Sequence, residues 1–267
     1  VEYHSSHKIR FTSASMLYKG HNLALLSQLL GHTTTTMTLH YFRNILGEDE
    51  VKELMKKLDD KILETEIQSM PNLIVIGVTG SFGKTSTKNY LYKILSSQYN
   101  VLITPKNYNT LLGVSKTIRE NLKATHEVFI CEMGADHVHE IEDLCKFVCP
   151  SIGILSAIGP QHLSTFKNIE NILFEKMKLL ESLPKEGMGF YNFDNFYLKQ
   201  MDMKLDCSVT RVGIHSYADI KAINLVCDHL GSQFDVYLDG VLVGETVELT
   251  TSNTDYVFTL DTPVNGG

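Results

Sequence analysis

The feature that most constrains this chain is a glycine-rich turn between an apolar run and a helix-forming segment, in the sequence IVIGVTGSFGKTSTK at residues 74–88. The glycines allow consecutive backbone N–H groups to point into one concavity, and the following helix presents the positive end of its dipole. Lys84 adds a full positive charge, and the hydroxyl of Thr85 can bind the Mg²⁺ that travels with a nucleotide. The segment therefore predicts a phosphate-binding loop between a strand and a helix.

The loop departs from the strict pattern G-x-x-x-x-G-K-[ST], which requires glycine at the position that Val78 occupies. A plain glycine turn between a strand and a helix is the alternative interpretation. Lys84 and the run of hydroxyl residues after it favour phosphate binding. The residues that we expect to contact the phosphates are Thr79, Gly80, Ser81, Gly83, Lys84, Thr85 and Ser86.

Length and composition indicate a globular protein with room for a sizeable core. The chain has 267 residues, 43% of them hydrophobic, and its formal net charge of −7 argues against wholesale coating of nucleic acid. Its five cysteines lack C-x-x-C spacing, which favours free, buried thiols in a reducing compartment over disulfides or a metal site. Neither a run of about 18 apolar residues nor a signal-peptide pattern is present, so we expect a cytoplasmic protein without a membrane segment.

Beyond the loop, strand-like and helix-like segments alternate as in a doubly wound, mostly parallel sheet with helices on both faces. The candidate strands are 73–78, 100–104, 127–133, 152–158 and 187–193. From residue 208 onward, period-two alternation predicts an antiparallel extension with a tight hairpin at Asp239-Gly240. Its candidate strands are 222–227, 234–238, 241–245 and 256–260. The predicted fold class is α/β, a phosphate-loop sheet with an antiparallel extension, preceded by a small all-α segment.

Polar side chains of catalytic type follow the ends of the parallel strands, where ligands gather in such sheets. Thr85 follows the first strand, Asn109 the second, Glu132 closes the third and His162 follows the fourth. A hydroxyl, a carboxylate and an imidazole beside a triphosphate suit one or two Mg²⁺ ions. We therefore expect Thr85, Glu132 and His162 to bind metal. The alternative is that Glu132 is a surface charge and His162 a capping residue.

Residues 1–65 differ from the rest in charge and pattern, because four basic residues oppose one acidic residue among the first 45. Helical spacing predicts two helices within residues 9–30, a third that carries Tyr41, and an amphipathic helix within residues 48–64. The expected domain bounds are 1–65 for this helical part, 66–72 for a linker and 73–267 for the α/β domain.

Three motifs follow one another in the first segment: HKIR at 7–10, LGH at 30–32, and then Tyr41. In order and spacing they resemble the end of the catalytic domain of the tyrosine recombinases. The resemblance implies DNA as the partner, with Arg10 on the scissile phosphate, His7 and His32 assisting charge and proton transfer, and Tyr41 as the nucleophile. That family also needs an earlier arginine and lysine, which would lie before Val1, so we expect no catalysis by this segment alone. Packing residues are the alternative interpretation.

A second set of motifs spans residues 72 to about 265, namely GVTGSFGKTSTK, NYNTLLGV, EVFICEMGADHVHEI, IGPQHL, FEKMKLLESLP and YNFDN. In order and spacing these are similar to the central domain of the Mur ligases, and most to the branch that adds D-alanyl-D-alanine to UDP-N-acetylmuramoyl tripeptide. The resemblance implies an ATP-dependent, amide-forming ligase of peptidoglycan-precursor synthesis that uses ATP and Mg²⁺. A UDP-linked muramoyl peptide and a D-amino-acid dipeptide would be its substrates.

The resemblance also implies a role for each matching residue. Lys84 and the loop amides would hold the ATP phosphates, and Thr85 with Glu132 would bind one Mg²⁺. His162 would bind a second Mg²⁺, and Lys176 would be the carbamylated lysine that bridges to it. A plain surface lysine is the alternative for Lys176. The further nucleotide contacts would come from Asn109, Asn192 and Asp194.

The first and last domains of that family have no counterpart among these motifs, so we expect nucleotide binding and little or no ligation by the chain alone. Two other classes of function stay open. One is a DNA strand-transfer fragment. A covalent DNA adduct that is lost in Tyr41→Phe would support it. The other is a non-catalytic, nucleotide-dependent interaction module, which would capture a partner without turnover.

Overall fold

The computed structural model describes residues 67–215, 217–229, 231–251 and 256–260. The predictions for residues 1–65, including His7, Arg10, His32 and Tyr41, lie outside the described residues. The unit that is described begins at Ile67, whose side chain is buried.

A mixed sheet of 10 strands forms the centre of this unit. In chain order its strands are β1 (Ile74–Thr79), β2 (Val101–Ile103), β3 (Val128–Glu132), β4 (Ile152–Leu155), β5 (Met188–Asn192), β6 (Ser208–Gly213), β7 (Ile220–Cys227), β8 (Gly231–Leu238), β9 (Val241–Thr251) and β10 (Tyr256–Leu260). Across the sheet the order is β10-β9-β8-β7-β6-β5-β4-β1-β3-β2. In this order across the sheet, every neighbouring pair between β2 and β7 is parallel, and every neighbouring pair between β7 and β10 is antiparallel. The predicted α/β sheet with its antiparallel extension is confirmed.

Helices connect the parallel strands. They are α1 (Lys84–Leu95), α2 (Leu111–Asn121), α3 (Glu140–Val148), α4 (Leu163–Phe166), α5 (Ile169–Glu181) and α6 (Phe196–Lys199). Thr110, Asn168 and Asn195 begin α2, α5 and α6, because each side chain accepts a hydrogen bond from a first-turn N–H that would otherwise lack a partner. Within the described residues, no helix is long and apolar enough to cross a membrane.

Helix α1 covers one face of the central strands. Ile76 and Val78 of β1 form a buried cluster with residues of β3, and Leu91 and Leu95 of α1 pack against it. Side chains alternate between the two faces of a strand, so Gly77, between Ile76 and Val78, belongs to the opposite face.

On that opposite face, a row of three glycines crosses the sheet in register, Gly77 beside Gly153 and Gly153 beside Gly189. A Cβ atom added at Gly77 would lie 2.6 Å from Leu179 Cδ1, and one at Gly153 or Gly189 would lie 3.1 or 3.2 Å from Leu180 Cδ2. Both leucines belong to α5. The glycine row therefore lets α5 lie close against β1, β4 and β5. This packing fixes the position of α5 relative to the ends of those strands.

One predicted strand ends early. β4 stops at Leu155 instead of continuing to Ile158, because Ser156 leaves the sheet and turns toward the glycine-rich loop. The Ser156 hydroxyl lies 2.6 Å from the carbonyl oxygen of Phe82 and 3.1 Å from that of Thr79. The residues after β4 thus brace the loop that follows β1.

The edge of the parallel sheet also differs from prediction, since β6 is an additional parallel strand at the point where only antiparallel strands were expected. β7 pairs with β6 at just two positions, Val212 with Ile220 and Gly213 with Lys221. β7 therefore starts where β6 ends, and a short connection suffices. The hairpin prediction is confirmed, because Asp239 (φ 48°) and Gly240 (φ 81°) join β8 to β9.

All five cysteines are free, as predicted. Cys131, Cys145 and Cys207 are buried, whereas Cys149 and Cys227 are exposed. The prediction of burial was therefore wrong for the last two, which lie at the C-terminal ends of α3 and β7.

Candidate functional site

The loop between β1 and α1 has the backbone shape that an anion-binding turn requires. Gly80 has φ 148° and Gly83 has φ 82°, both in the region that favours glycine. A Cβ atom at Gly80 would lie 2.1 Å from the Ser156 hydroxyl, so a side chain does not fit there. Gly83 begins α1 and has no side chain to cap it, which leaves the first-turn N–H groups of the helix for a ligand.

Two hydroxyl residues of the loop hold it in place. Thr79 is fully buried and donates to the carbonyl oxygen of Met133 at 2.9 Å. The Ser81 hydroxyl donates to the carbonyl oxygen of Gly159 at 2.9 Å and accepts from its N–H at 3.1 Å. These side chains brace the loop, and phosphate contact by either residue stays a prediction.

Lys84 folds its side chain back over the loop. Its Nζ donates to the carbonyl oxygen of Gly80 at 2.7 Å and lies 3.4 Å from that of Ser81. Burial lowers the pKa of Lys84, and the negative charges of Glu132 and Asp136 partly oppose that effect. A positive charge is thus held above the loop and near the end of β3.

Glu132 closes β3 and is only 2% exposed, so the interpretation as a surface charge is wrong. The Thr85 hydroxyl donates to its carboxylate, 3.1 Å from each oxygen, and Asn109 Nδ2 donates to Oε1 at 3.2 Å. Lys88 Nζ lies 2.9 Å from Oε2. The structure therefore brings together three residues that the sequence predicted. Sequence reasoning missed Lys88, although its position four residues after Lys84 puts both lysines on one helix face.

A cavity of about 100 Å³ opens beside this group. Its lining comes from β1–α1, β2–α2, β3–α3 and β4–α4 connections and from α5. The lining residues are Lys84, Asn109, Thr110, Gly134, Ala135, Asp136, Glu140, Gln161, His162 and Lys176. Four predicted site residues, Lys84, Asn109, His162 and Lys176, thus meet at one place.

His162 stands at the start of α4 with φ 50°, a left-handed conformation that few non-glycine residues adopt. Its side chain does not cap the helix, so the capping interpretation is wrong. Its Nε2 lies 3.1 Å from Asp136 Oδ1, and the Thr165 hydroxyl donates to the Asp136 carbonyl oxygen. Sequence reasoning missed Asp136 as a partner, although it lies in the quoted segment EVFICEMGADHVHEI.

The three predicted metal ligands lie in two separate contacts: Thr85 contacts Glu132, and His162 contacts Asp136, which was not predicted. The described residues contain no group of three or more His, Cys, Asp and Glu side chains that could hold a metal by themselves. Mg²⁺ bound with a nucleotide needs only one or two protein ligands, since phosphates and water complete its coordination. The donor set therefore fits Mg²⁺ bound with nucleotide and does not fit an all-protein metal centre.

Lys176 is 1% exposed, so the interpretation as a surface lysine is wrong. Its Nζ is buried without a hydrogen-bond partner in the part of the chain that the structure describes. Burial, reinforced by the positive charge of Lys84, lowers the pKa of Lys176 to about 8. Its neighbour Glu175 accepts hydrogen bonds from the backbone N–H groups of His139 and Ile141, each at 2.7 Å, and so ties α5 to the start of α3.

Three predicted nucleotide contacts lie elsewhere. Asn192 Oδ1 accepts from the Asp194 N–H at 3.0 Å, at the end of β5. The Asp194 carboxylate accepts from the backbone N–H groups of Ile214 and His215, and so holds the β6–β7 connection. Ser86 is exposed in the first turn of α1. None of Ser86, Asn192 and Asp194 is among the residues that line the described cavity, and their contact with a nucleotide stays a prediction.

Comparison with known proteins gives one family. The sequence profile of the Mur ligase middle domain matches residues 78–253. The UDP-N-acetylmuramoyl-tripeptide–D-alanyl-D-alanine ligase of Buchnera aphidicola subsp. Baizongia pistaciae is 32% identical over 172 residues, which cover 64% of this chain and 37% of that protein. The ligase of the same name from Bacillus subtilis is 28% identical over 162 residues, 61% of this chain and 35% of that protein. The chain thus spans little more than a third of the length of these relatives.

Solved structures give the same result for the fold. A crystal structure of MurF from Acinetobacter baumannii superposes with a TM-score of 0.67 at 25% identity. The match covers 73% of this chain and 42% of the MurF chain. The MurF ligase of Thermotoga maritima in complex with ADP superposes with a TM-score of 0.65 at 26% identity and covers 73% and 44%. Both support a mostly parallel α/β sheet with antiparallel strands at its end.

Proposed function

Because the chain belongs to the Mur ligase family through its middle domain, we propose that it binds ATP with Mg²⁺ and serves in ATP-dependent amide-bond formation. One observation carries the proposal. A glycine-rich loop, the buried carboxylate of Glu132, and the cavity residues His162 and Lys176 meet beside the carboxyl ends of the parallel strands. Ligands bind at that edge in sheets of this kind.

The loop supplies the phosphate contacts in this proposal. Lys84 Nζ donates to two loop carbonyl oxygens, and phosphate oxygens are stronger, charged acceptors that would replace them. The first turn of α1 has no side-chain cap, so its N–H groups would be available to the phosphates as well. The loop backbone suits a triphosphate, because Gly80 and Gly83 adopt the positive φ values that a turn around phosphate groups requires.

Three side chains would hold the metal ions. Thr85 and Glu132 supply hydroxyl and carboxylate oxygens for one Mg²⁺, and His162, which lines the cavity, would bind a second. Mg²⁺ supplies positive charge that offsets the negative charge of the transferring phosphoryl group.

Lys176 is proposed to be carbamylated. The neutral amine attacks CO₂, so that an N–C bond forms while one C=O π bond opens to an oxyanion, and the nitrogen then releases a proton to solvent, which leaves a carbamate anion. A pKa of about 8 makes the neutral amine accessible near physiological pH, and the buried Nζ has no competing partner among the described residues. The modification would replace an unpaired buried cation by an anion with two oxygen ligands, beside the positive charge of Lys84.

The proposed reaction has two steps. A substrate carboxylate attacks the γ-phosphate of ATP, which gives an acyl phosphate and ADP. An amine then attacks the acyl carbon, phosphate leaves, and the amine proton is lost. Lys84 stabilises charge on the transferring group, and no protein nucleophile is needed. We propose a UDP-linked muramoyl tripeptide and D-alanyl-D-alanine as carboxylate and amine substrates, in the cytoplasm, by analogy with the relatives of that name.

Titration of the chain with ATP and Mg²⁺ tests the proposal. Lys84→Ala is expected to weaken nucleotide binding by at least about tenfold, because a charge-assisted phosphate contact is lost. Lys93→Ala, an exposed lysine of the same helix, is the matched control and should bind as the parent does. Nucleotide affinity that does not change in Lys84→Ala would contradict the proposal.

A second candidate function concerns residues 1–65, where the order and spacing of HKIR, LGH and Tyr41 favour a DNA strand-transfer segment. A covalent adduct with nicked or suicide DNA substrate, absent in Tyr41→Phe and present in Tyr3→Phe, would support it. An adduct that persists in Tyr41→Phe would exclude Tyr41 as the nucleophile.

A further inference from the structure

We propose that Lys88 is a positioning residue that orients Glu132 and the loop carrying Asn109, and so prepares the cation side of the nucleotide site. The inference rests on the proposed ATP·Mg²⁺ function and extends it to a residue outside the loop motif. Lys88 lies in α1 one turn after Lys84, and its side chain is 1% exposed. A lysine so deeply buried requires partners for its charge.

The Lys88 ammonium has three partners at hydrogen-bond distance. They are Glu132 Oε2 at 2.9 Å, the Thr104 carbonyl oxygen at 2.8 Å and the Lys106 carbonyl oxygen at 2.7 Å. An ammonium group has three N–H donors, so these contacts use all of them. Lys88 therefore has no donor left for a phosphate, and its effect on a ligand must pass through the groups it holds.

The first of those groups is the Glu132 carboxylate. Lys88 holds Oε2, while Oε1 accepts from Asn109, which lines the cavity. The Glu132 backbone is fixed as well, since its N–H donates to the Thr104 hydroxyl at 3.0 Å. With one oxygen anchored to a buried cation and the backbone tied, the carboxylate keeps a single orientation toward Thr85 and Asn109.

The second group is the loop after β2. Lys106 has φ 48°, a left-handed conformation that non-glycine residues adopt only at a cost. Its carbonyl oxygen accepts from Lys88, which stabilises this turn. Asn109 follows three residues later and is held at its own carbonyl oxygen by the Gly134 N–H at 2.7 Å. The buried ammonium thus joins three elements of the site: α1, the end of β3 and the loop after β2.

Binding of a non-hydrolysable ATP analogue, AMP-PNP, to the chain in Mg²⁺ and in EDTA tests the role. The parent should bind at least about tenfold more tightly in Mg²⁺. Lys88→Met keeps the length of the side chain and removes its charge. It should bind within about twofold of the parent in EDTA, because Lys84 and the loop amides remain, and lose most of the Mg²⁺ gain. Lys93→Met, an exposed lysine of α1, should match the parent in both conditions.

Lys88→Met leaves the buried Glu132 carboxylate without its cation, and an unpaired buried charge by itself opposes folding. A second comparison therefore removes the Glu132 charge as well. Glu132→Gln should lose the Mg²⁺ gain, and adding Lys88→Met to it should change AMP-PNP affinity no further in either condition. The equality is expected because both routes from Lys88, the direct ion pair and the loop that carries Asn109, end at the Glu132 carboxylate, and a general loss of structure would not produce it.

The outcomes separate the two proposals. A Mg²⁺ gain that survives in folded Lys88→Met overturns the positioning role, and so does a double variant that binds more weakly in EDTA than Glu132→Gln does. A parent chain that does not bind AMP-PNP, or whose binding is indifferent to Lys84→Ala, overturns the proposed function itself and the role of Lys88 with it.

Discussion

Replacement of Lys176 by methionine should stabilise the protein near neutral pH. Burial lowers the pKa of Lys176 from 10.5 to about 8, so the folded chain binds the lysine proton more weakly than the unfolded chain does. At about 1.4 kcal/mol for each tenfold change in proton affinity, this difference corresponds to about 3 kcal/mol of unfolding free energy. Methionine fills a similar volume without the charge.

The pH dependence follows from the direction of that change. Below about pH 8 both states carry the proton, and the full cost of burying the cation is present. Between about pH 8 and 10.5 the folded state loses the proton first, so the stability of the parent rises with pH. The free energy of unfolding of Lys176→Met should therefore exceed that of the parent by up to about 3 kcal/mol near pH 7. This difference should disappear by about pH 10.5.

Urea unfolding followed by circular dichroism, in CO₂-free buffers across this pH range, measures the effect. Lys178→Met is the matched control, since Lys178 lies on the same helix but is 39% exposed and pairs with Glu181. It should stay within about 0.5 kcal/mol of the parent at every pH. A constant stability difference between parent and Lys176→Met from pH 8 to 10.5 would refute the reasoning. Bicarbonate should stabilise the parent and leave Lys176→Met unchanged if the amine is carbamylated.

Three further predictions concern the scaffold. Gly77→Ala should cost about 1–3 kcal/mol in urea unfolding, because the new Cβ would lie 2.6 Å from Leu179 Cδ1, and Gly77→Ala/Leu179→Ala should lose less than the sum of the single changes. Gly240→Val should lower stability by about 1–2 kcal/mol through its φ of 81°, with Gly240→Asn close to the parent in the same thermal melts. Thiol labelling of the native chain near pH 8 should modify exposed Cys149 and spare Cys145, whose pKa burial raises to about 12; equal labelling by intact mass would contradict the burial.

Local sequence was sufficient for the glycine-rich loop and for most strands of the sheet. The apolar run before Gly80 and the lysine and hydroxyls after it determine a strand, a turn and a helix through backbone conformation and helix-end charge alone. The Asp239-Gly240 hairpin was predictable for the same reason, because both residues accept positive φ. β6 was missed, since its partner strand is set by the whole sheet and a short alternating segment has the same pattern in parallel and antiparallel pairs.

Site residues were predictable where a motif places them at the end of a strand. They were not predictable where the environment of a side chain is made by elements that are distant in sequence. Glu132 and His162 were found through strand ends. The burial of Lys176 depends on α5 approaching the glycine row, and the partners of Lys88 are two carbonyl oxygens and a carboxylate from other elements. Asp194 has a structural role that its motif did not indicate, because its carboxylate accepts hydrogen bonds from the backbone N–H groups of Ile214 and His215.

A crystal structure of the chain with ADP and Mn²⁺, with the metal located by its anomalous scattering, tests the central claim most directly. We expect diphosphate over the Gly80–Lys84 turn and a cation within about 2.0–2.5 Å of the Thr85 hydroxyl and the Glu132 carboxylate. A nucleotide bound away from that turn, or a cation with no contact to Glu132, would contradict it.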